Sequence, residues 1–211
     1  MRFANRTLAG RCLATRLSEY ANPTTLVLAL PRGGVPVAAE VARALNAPLD
    51  VFLVRKLGVP GHPELAMGAI ASGGVRVVSR DVVEELGIPS SIIDAVAARE
   101  QLELERRDRL YRGSRSLPSL AGRTVILVDD GLATGATMEA AVEAVRQLNP
   151  RRIVVAAPVG AAETCARLKT VADDVVCAET PEPFQAVGLW YERFEQTSDE
   201  EVIETLARSA S

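Results

Sequence analysis

One stretch limits the folds open to this chain more than any other. Residues 125–137 read VILVDDGLATGAT, an apolar β-branched run that stops abruptly at two carboxylates, Asp129 and Asp130. The run has the length and composition of a fully buried strand. Gly131 and Gly135 then open backbone angles closed to other residues, Thr134 and Thr137 add hydroxyls, and residues 138–148 (MEAAVEAVRQL) carry helical spacing. A buried strand that feeds a glycine loop and then a helix belongs in a parallel sheet. The loop also sits at a helix N-terminus, where free N–H groups and the helix dipole favour an anion by about 0.3–1 kcal/mol. Two carboxylates beside that anion site call for a ligand that also carries hydroxyls or a metal ion, and a sugar phosphate meets both demands.

The same unit recurs. Residues 25–30 (TLVLAL) form an all-apolar strand, Pro31-Arg32-Gly33-Gly34 follows, and residues 35–45 have helical spacing closed by Asn46. Residues 50–54 are the next strand, and residues 153–158, 161–171 and 175–178 give a third strand–helix–strand repeat. The reading is an α/β fold with a central, mainly parallel sheet flanked by helices. Residues 55–65 (RKLGVPGHPEL), with paired glycines and prolines, are expected to be an irregular loop. Residues 66–71 and 75–79 are expected to form a hairpin at the sheet edge, followed by a short helix to Leu86. Residues 6–20 are expected to form a packing helix with Leu8, Cys12, Leu13 and Leu17 inward. A long helix over 90–112 is expected, capped by Ser90 or Ser91, its charged second half either a solvated face or a dimer arm or nucleic-acid contact. A last helix over 199–208 has Ser198 as its cap.

Composition narrows the function. The chain has 211 residues, 48% hydrophobic and 24% charged, with a net charge of −3, which fits one globular domain and argues against bulk nucleic-acid or anionic-membrane binding. Cys12, Cys165 and Cys177 lack CxxC or His-paired spacing, and His62 is the single histidine, so zinc is not expected and the thiols are expected to be buried and reduced. Arg2, Arg6, Arg11 and Arg16 interrupt the early apolar runs and no 18-residue apolar stretch exists, so a cytoplasmic location without a membrane span is expected. GxGxxG and GxxxxGK are both absent. Receiver domains share the strand–DD–loop–helix order, but there a phosphoacceptor Asp ends a later strand, and here the later strand runs into Pro158 and Gly160.

With these residues in view, 125–137 resembles the phosphoribosyl-diphosphate (PRPP) loop of type I phosphoribosyltransferases. The resemblance covers residues 24–178. It implies that Asp129 and Asp130 hold the ribose hydroxyls and that Ala133, Thr134, Gly135, Ala136 and Thr137 hold the 5′-phosphate. It implies that Arg32-Gly33 is the diphosphate loop, often with a non-proline cis peptide, expected here between those two residues, and that Lys56 is the diphosphate-binding lysine. Mg²⁺ would be held mainly through PRPP oxygens, with no protein metal site. The 6-oxopurine branch has an acidic residue where this chain has Ala133, so the loop is closer to the adenine type. His62 and Glu64 are candidates for general acid and base, or are a solvated loop residue and a hairpin-edge charge. Residues 179–196, with Phe184, Trp190 and Tyr191, are a candidate hood that stacks the acceptor base, completed by helix 6–20, or are packing for the last strand. The expected function is transfer of phosphoribosyl from PRPP to a nitrogenous acceptor, with a homodimer as the family habit. A PRPP- or nucleotide-sensing regulator and a binding module without turnover stay open beside it.

Overall fold

The computed structural model describes residues 2–209. Five parallel strands form the main sheet: β1 (Thr25–Ala29), β2 (Leu49–Val51), β6 (Thr124–Val128), β7 (Arg152–Val159) and β8 (Asp174–Glu179), in the order β2-β1-β6-β7-β8. Every residue of β1 and β6 is buried, as the unbroken apolar runs require when helices cover both faces. Alternation then sorts the side chains. Val27, Ala29, Ile126 and Val128 face a core shared with α1 (Arg6–Arg16) and α2 (Gly34–Leu45); Leu26, Leu28, Val125 and Leu127 face one shared with α5 (Ala136–Gln147) and α6 (Ala162–Leu168). Each fully buried aliphatic side chain contributes about 1.5–3 kcal/mol relative to exposure.

The strand order has one physical consequence for ligands. From β1 the sheet grows outward to β2 on one side and to β6 on the other, so the loops after β1 and β6 diverge from a common crevice. Ligands of open α/β sheets bind at such a switch point. Ala29 pairs with Val128, so the two glycine loops leave adjacent strand ends at the same level.

The structure departs from expectation where proline and glycine were read as breakers. Residues 55–65 are not an irregular loop: β3 (Val54–Val59) and β4 (His62–Ala71) pair through them. The register shifts at Leu57, Gly58 and Val59 absorb the irregularity, and a Cβ at Gly58 would press on the Pro63 backbone at 2.9 Å. Pro63 is tolerated because β5 (Val75–Val78) pairs only with the far half of β4, leaving that edge without a partner strand among the described residues. The expected hairpin is therefore part of a separate three-stranded antiparallel sheet, β3-β4-β5, rather than the edge of the main one. α3 (Arg80–Glu85) follows it.

α1 stops at Arg16 and a 3-10 turn takes Ser18–Tyr20. Its inward face is Ala9, Gly10, Leu13 and Ala14, whereas Leu8 is 45% exposed. Small residues win there because α1 crosses α2 closely: a Cβ at Gly10 would sit 2.7 Å from the Val37 carbonyl. α4 (Ser90–Arg112) has Pro89 at its cap position and no side-chain cap, so neither serine caps it. It is not a free arm, for it buries Ile93, Val96, Ala97, Leu104 and Tyr111 against the rest of the fold. α7 (Asp199–Ser209) does carry the expected cap, with the Glu201 amide donating to Ser198 Oγ at 3.1 Å and the Ser198 amide to Glu201 at 2.7 Å.

The last turn of α4 delivers Arg112 into the core beside β2. The side chain is 1% exposed; it donates to Asp50 Oδ1 at 3.0 Å, to the Val51 carbonyl and to Asp108. Arg112→Ala leaves Asp50 buried without its cation, which costs about 3–5 kcal/mol. Urea unfolding is expected to show that loss, and Asp50→Asn combined with Arg112→Met to recover part of it.

Candidate functional site

The crevice between β1 and β6 is built by mutual contact of the two loops. Gly33 lies so close to Asp130 that a Cβ there would run into the carboxylate, and a Cβ at Gly34 would lie 2.6 Å from the Val128 carbonyl. Only glycines let the first loop approach the acidic pair. The Leu30 amide donates to the Val128 carbonyl at 2.8 Å and ties the loops at their base. In this loop the cis peptide bond is Pro31-Arg32, one bond before the one expected, and Gly33 has helical angles of φ −59° and ψ −33° at the start of α2.

Beyond Asp130 the chain turns through Gly131 to Gly135, where φ is +71° and a side chain would be strained. Ala136 and Thr137 open α5 and so present first-turn amides with no acceptor of their own inside the helix. α6 braces this turn from outside: Thr164 Oγ1 donates to the Ala133 carbonyl at 2.5 Å and Arg167 donates to the Thr134 carbonyl. Ala133, Thr134 and Thr137 are exposed. The result is a rigid concavity of amides next to two carboxylates.

Those carboxylates hold protons more tightly than usual. Burial at the strand end is the main cause for both; for Asp129 the neighbouring Asp130 adds to it, and for Asp130 the Arg6 guanidinium pulls the other way. Arg6 is a site residue that the sequence reading passed over. Its Nε donates to Asp130 Oδ2 at 2.8 Å and its Nη1 to the Glu195 carbonyl at 2.7 Å, with the guanidinium 3.9 Å from the Phe194 ring centroid. Tyr191, read either as stacking a base or as packing for the last strand, donates its hydroxyl to the Asp130 carbonyl at 2.6 Å and stacks on Phe194, their centroids 4.9 Å apart. The tail is tied to the start of the chain, since Phe3 pairs with Tyr191 and donates its amide to the Trp190 carbonyl at 2.8 Å.

Cations gather on the other wall. A cleft lined by Pro31, Arg55, Leu104, Arg107 and Thr137 joins the two loops to α4. Arg55 forks onto Glu100, Arg107 donates to Glu103 at 2.7 Å, and Arg32 lies 3.8 Å from Asp199, whose carboxylate also accepts from Tyr111 at 2.5 Å. Burial and that bond push the Tyr111 hydroxyl up to about 12. Lys56 projects from β3 into solvent, with no ion pair among the described residues. His62 and Glu64 sit at the exposed tip of the β3–β4 hairpin, 3.4 Å from one another. They are joined to each other and not to the acidic pair. Among the described residues no group of three or more His, Cys, Asp or Glu side chains is placed to hold a metal ion, and no helix is long and apolar enough to cross a membrane.

An open parallel sheet with an amide cradle, an acidic pair and a glycine loop at its switch point puts the candidate ligand crevice of this α/β fold between β1 and β6. The chain belongs to the phosphoribosyl transferase family: residues 64–192 match the family's phosphoribosyl transferase domain. A Mycobacterium tuberculosis relative, provisionally named a phosphoribosyl transferase, is 49% identical over 207 residues, 98% of this chain. The chain spans 47% of that relative's length. The bifunctional protein PyrR of Brevibacillus brevis is 32% identical over 124 residues, 56% of this chain and 68% of PyrR. The crystal structure of TT1426 from Thermus thermophilus superposes with a TM-score of 0.91 and 45% identity over the whole of both chains. The fold is thus the α/β fold with a central parallel sheet that the βα repeats led us to expect, and the type I fold that the resemblance implied.

The raised protonation of the acidic pair has a thermodynamic sign. A carboxyl that binds its proton more tightly when folded weakens folding as pH rises from the usual carboxylate range through the folded value, and the whole penalty is present above it. Asp129→Asn keeps an oxygen for the Asp130 amide, now bonded at 2.8 Å. It is expected to raise Tm at pH 7.5, each 1 kcal/mol appearing as about 2–4 °C. Melts repeated at pH 3.5 are expected to show that gain shrinking.

Proposed function

We propose that the protein transfers the phosphoribosyl group of PRPP to a nitrogenous base and releases diphosphate. The observation that carries this reading is the contact between Gly33 and Asp130, which makes two anion loops and one acidic pair a single site. In this reading the amides of 133–137 hold the 5′-phosphate and Asp129 and Asp130 hold the ribose hydroxyls. Arg32, Gly33 and Lys56 receive the departing diphosphate. The acidic pair also places negative charge beside the sugar carbon as positive charge develops on it.

Mg²⁺ belongs to the same proposal. Two carboxylates beside an anion cradle fit an ion that takes most of its oxygens from the substrate; bound, it neutralises diphosphate charge. The chain's own part is orientation. Proton transfer to or from the acceptor is assigned to His62 and Glu64, with the β3–β4 hairpin closing over the bound substrate. A homodimer belongs to the same proposal, and the free thiols of Cys12, Cys165 and Cys177 support a reducing, cytoplasmic setting.

A second reading is a PRPP- or nucleotide-responsive regulator without turnover. It is favoured by Arg6, which already neutralises the carboxylate that the ribose would use. Diphosphate release from PRPP and Mg²⁺, measured with adenine, hypoxanthine, guanine, uracil and orotate, separates the two. The transferase reading expects turnover with one acceptor, adenine first, and a fall of about a hundredfold in kcat for His62→Ala or Glu64→Gln with PRPP affinity retained. Tight PRPP binding without turnover on the whole panel goes against it. If both variants keep wild-type turnover, the hairpin is only a lid.

A further inference from the structure

Two thiols that the site does not use lie directly behind its phosphate cradle. Cys165 on α6 and Cys177 on β8 are free, with their sulfurs 2.8 Å apart. They straddle the backbone of Gly160, where a Cβ would lie 2.8 Å from Cys165 Sγ and 3.0 Å from Cys177 Sγ. Cys165 is 6% exposed and Cys177 half-buried.

Gly160 is also where the cradle is anchored. Leu132 donates its amide to the Val159 carbonyl at 2.9 Å and accepts from the Ala161 amide at 2.9 Å. In α6, Cys165 stands between Thr164 and Arg167, which hold the carbonyls of Ala133 and Thr134. Any movement of Cys165 towards β8 is passed to that turn.

We infer that Cys165 and Cys177 form a reversible disulfide site, closed by a peroxide, and that closing it shifts α6 and loosens residues 131–137. The first step falls to Cys165, because the Cys177 S–H bonded to it holds its thiol below the usual value, while that same bond and burial push Cys177 up. The Cys165 thiolate attacks a peroxide oxygen; the S–O bond forms, the O–O bond breaks and hydroxide leaves. Cys177 sulfur then attacks the sulfenic sulfur, the S–O bond breaks, and the hydroxyl departs with the Cys177 proton as water. Two thiols and one hydrogen peroxide give one disulfide and two waters. The consequence for ligand affinity rests on the cradle reading above; the disulfide site itself does not.

The test treats the full chain with hydrogen peroxide and reads three quantities. Non-reducing peptide mapping is expected to find the Cys165–Cys177 link, reversed by dithiothreitol. Amide exchange of a peptide covering 131–137 is expected to quicken, and the Kd for PRPP to weaken about tenfold. Cys177→Ser is expected to abolish the link and both responses. A missing link, or a link that forms while exchange at 131–137 stays unchanged, overturns the inference. Should the reduced protein fail to bind PRPP while link and exchange respond, the cradle reading falls and the redox site stands.

Discussion

The acidic pair at the end of β6 is the constraint around which the rest is arranged. Two adjacent carboxylates, partly withdrawn from water at the end of a fully buried strand, repel each other and lose hydration. The fold meets that penalty with one guanidinium, Arg6, and with the Tyr191 hydroxyl, which fixes the Asp130 backbone. The two come from segments far apart in sequence, and residues 3–6 and 190–195 are bonded to each other beside the pair. A carboxylate pair with no bearing on function could be replaced at little cost by amides or apolar groups. Its presence at the switch point is the physical argument for a ligand with hydroxyls.

The wall opposite is arranged differently. Arg32, Arg55 and Arg107 each have an acidic neighbour, so their positions are held before any ligand arrives. On the transferase reading, an incoming diphosphate exchanges one set of anions for another in a cleft that is already shaped, which favours specificity over raw affinity. Lys56 is the unpaired cation on the same sheet as His62 and Glu64. The small antiparallel sheet thus carries Lys56, His62 and Glu64, and the main sheet carries the glycine loops and the acidic pair.

Much of this was legible in the sequence, for identifiable reasons. The buried strands at 25–30 and 125–128 announce themselves through unbroken apolar runs, and the loops through glycines at strand ends. The hairpin over 54–71 was hidden, because Gly58, Pro60, Gly61 and Pro63 read locally as breakers while tertiary pairing with a bulge accepts them. Arg6 could not be found by spacing, since it meets Asp130 across 124 positions. The only trace was an acidic pair with no nearby cation to balance it. For Tyr191 the sequence left stacking and packing both open, because its hydroxyl meets the Asp130 backbone across 61 positions.

The central claim is that the two loops grip opposite ends of one molecule. Calorimetric titration of the wild-type chain with PRPP, ribose 5-phosphate and diphosphate, each with Mg²⁺, tests it directly. If the loops act together, PRPP binds at least about a hundredfold more tightly than either fragment, since the second anion then binds at high effective concentration. Equal affinity for PRPP and ribose 5-phosphate would contradict the account.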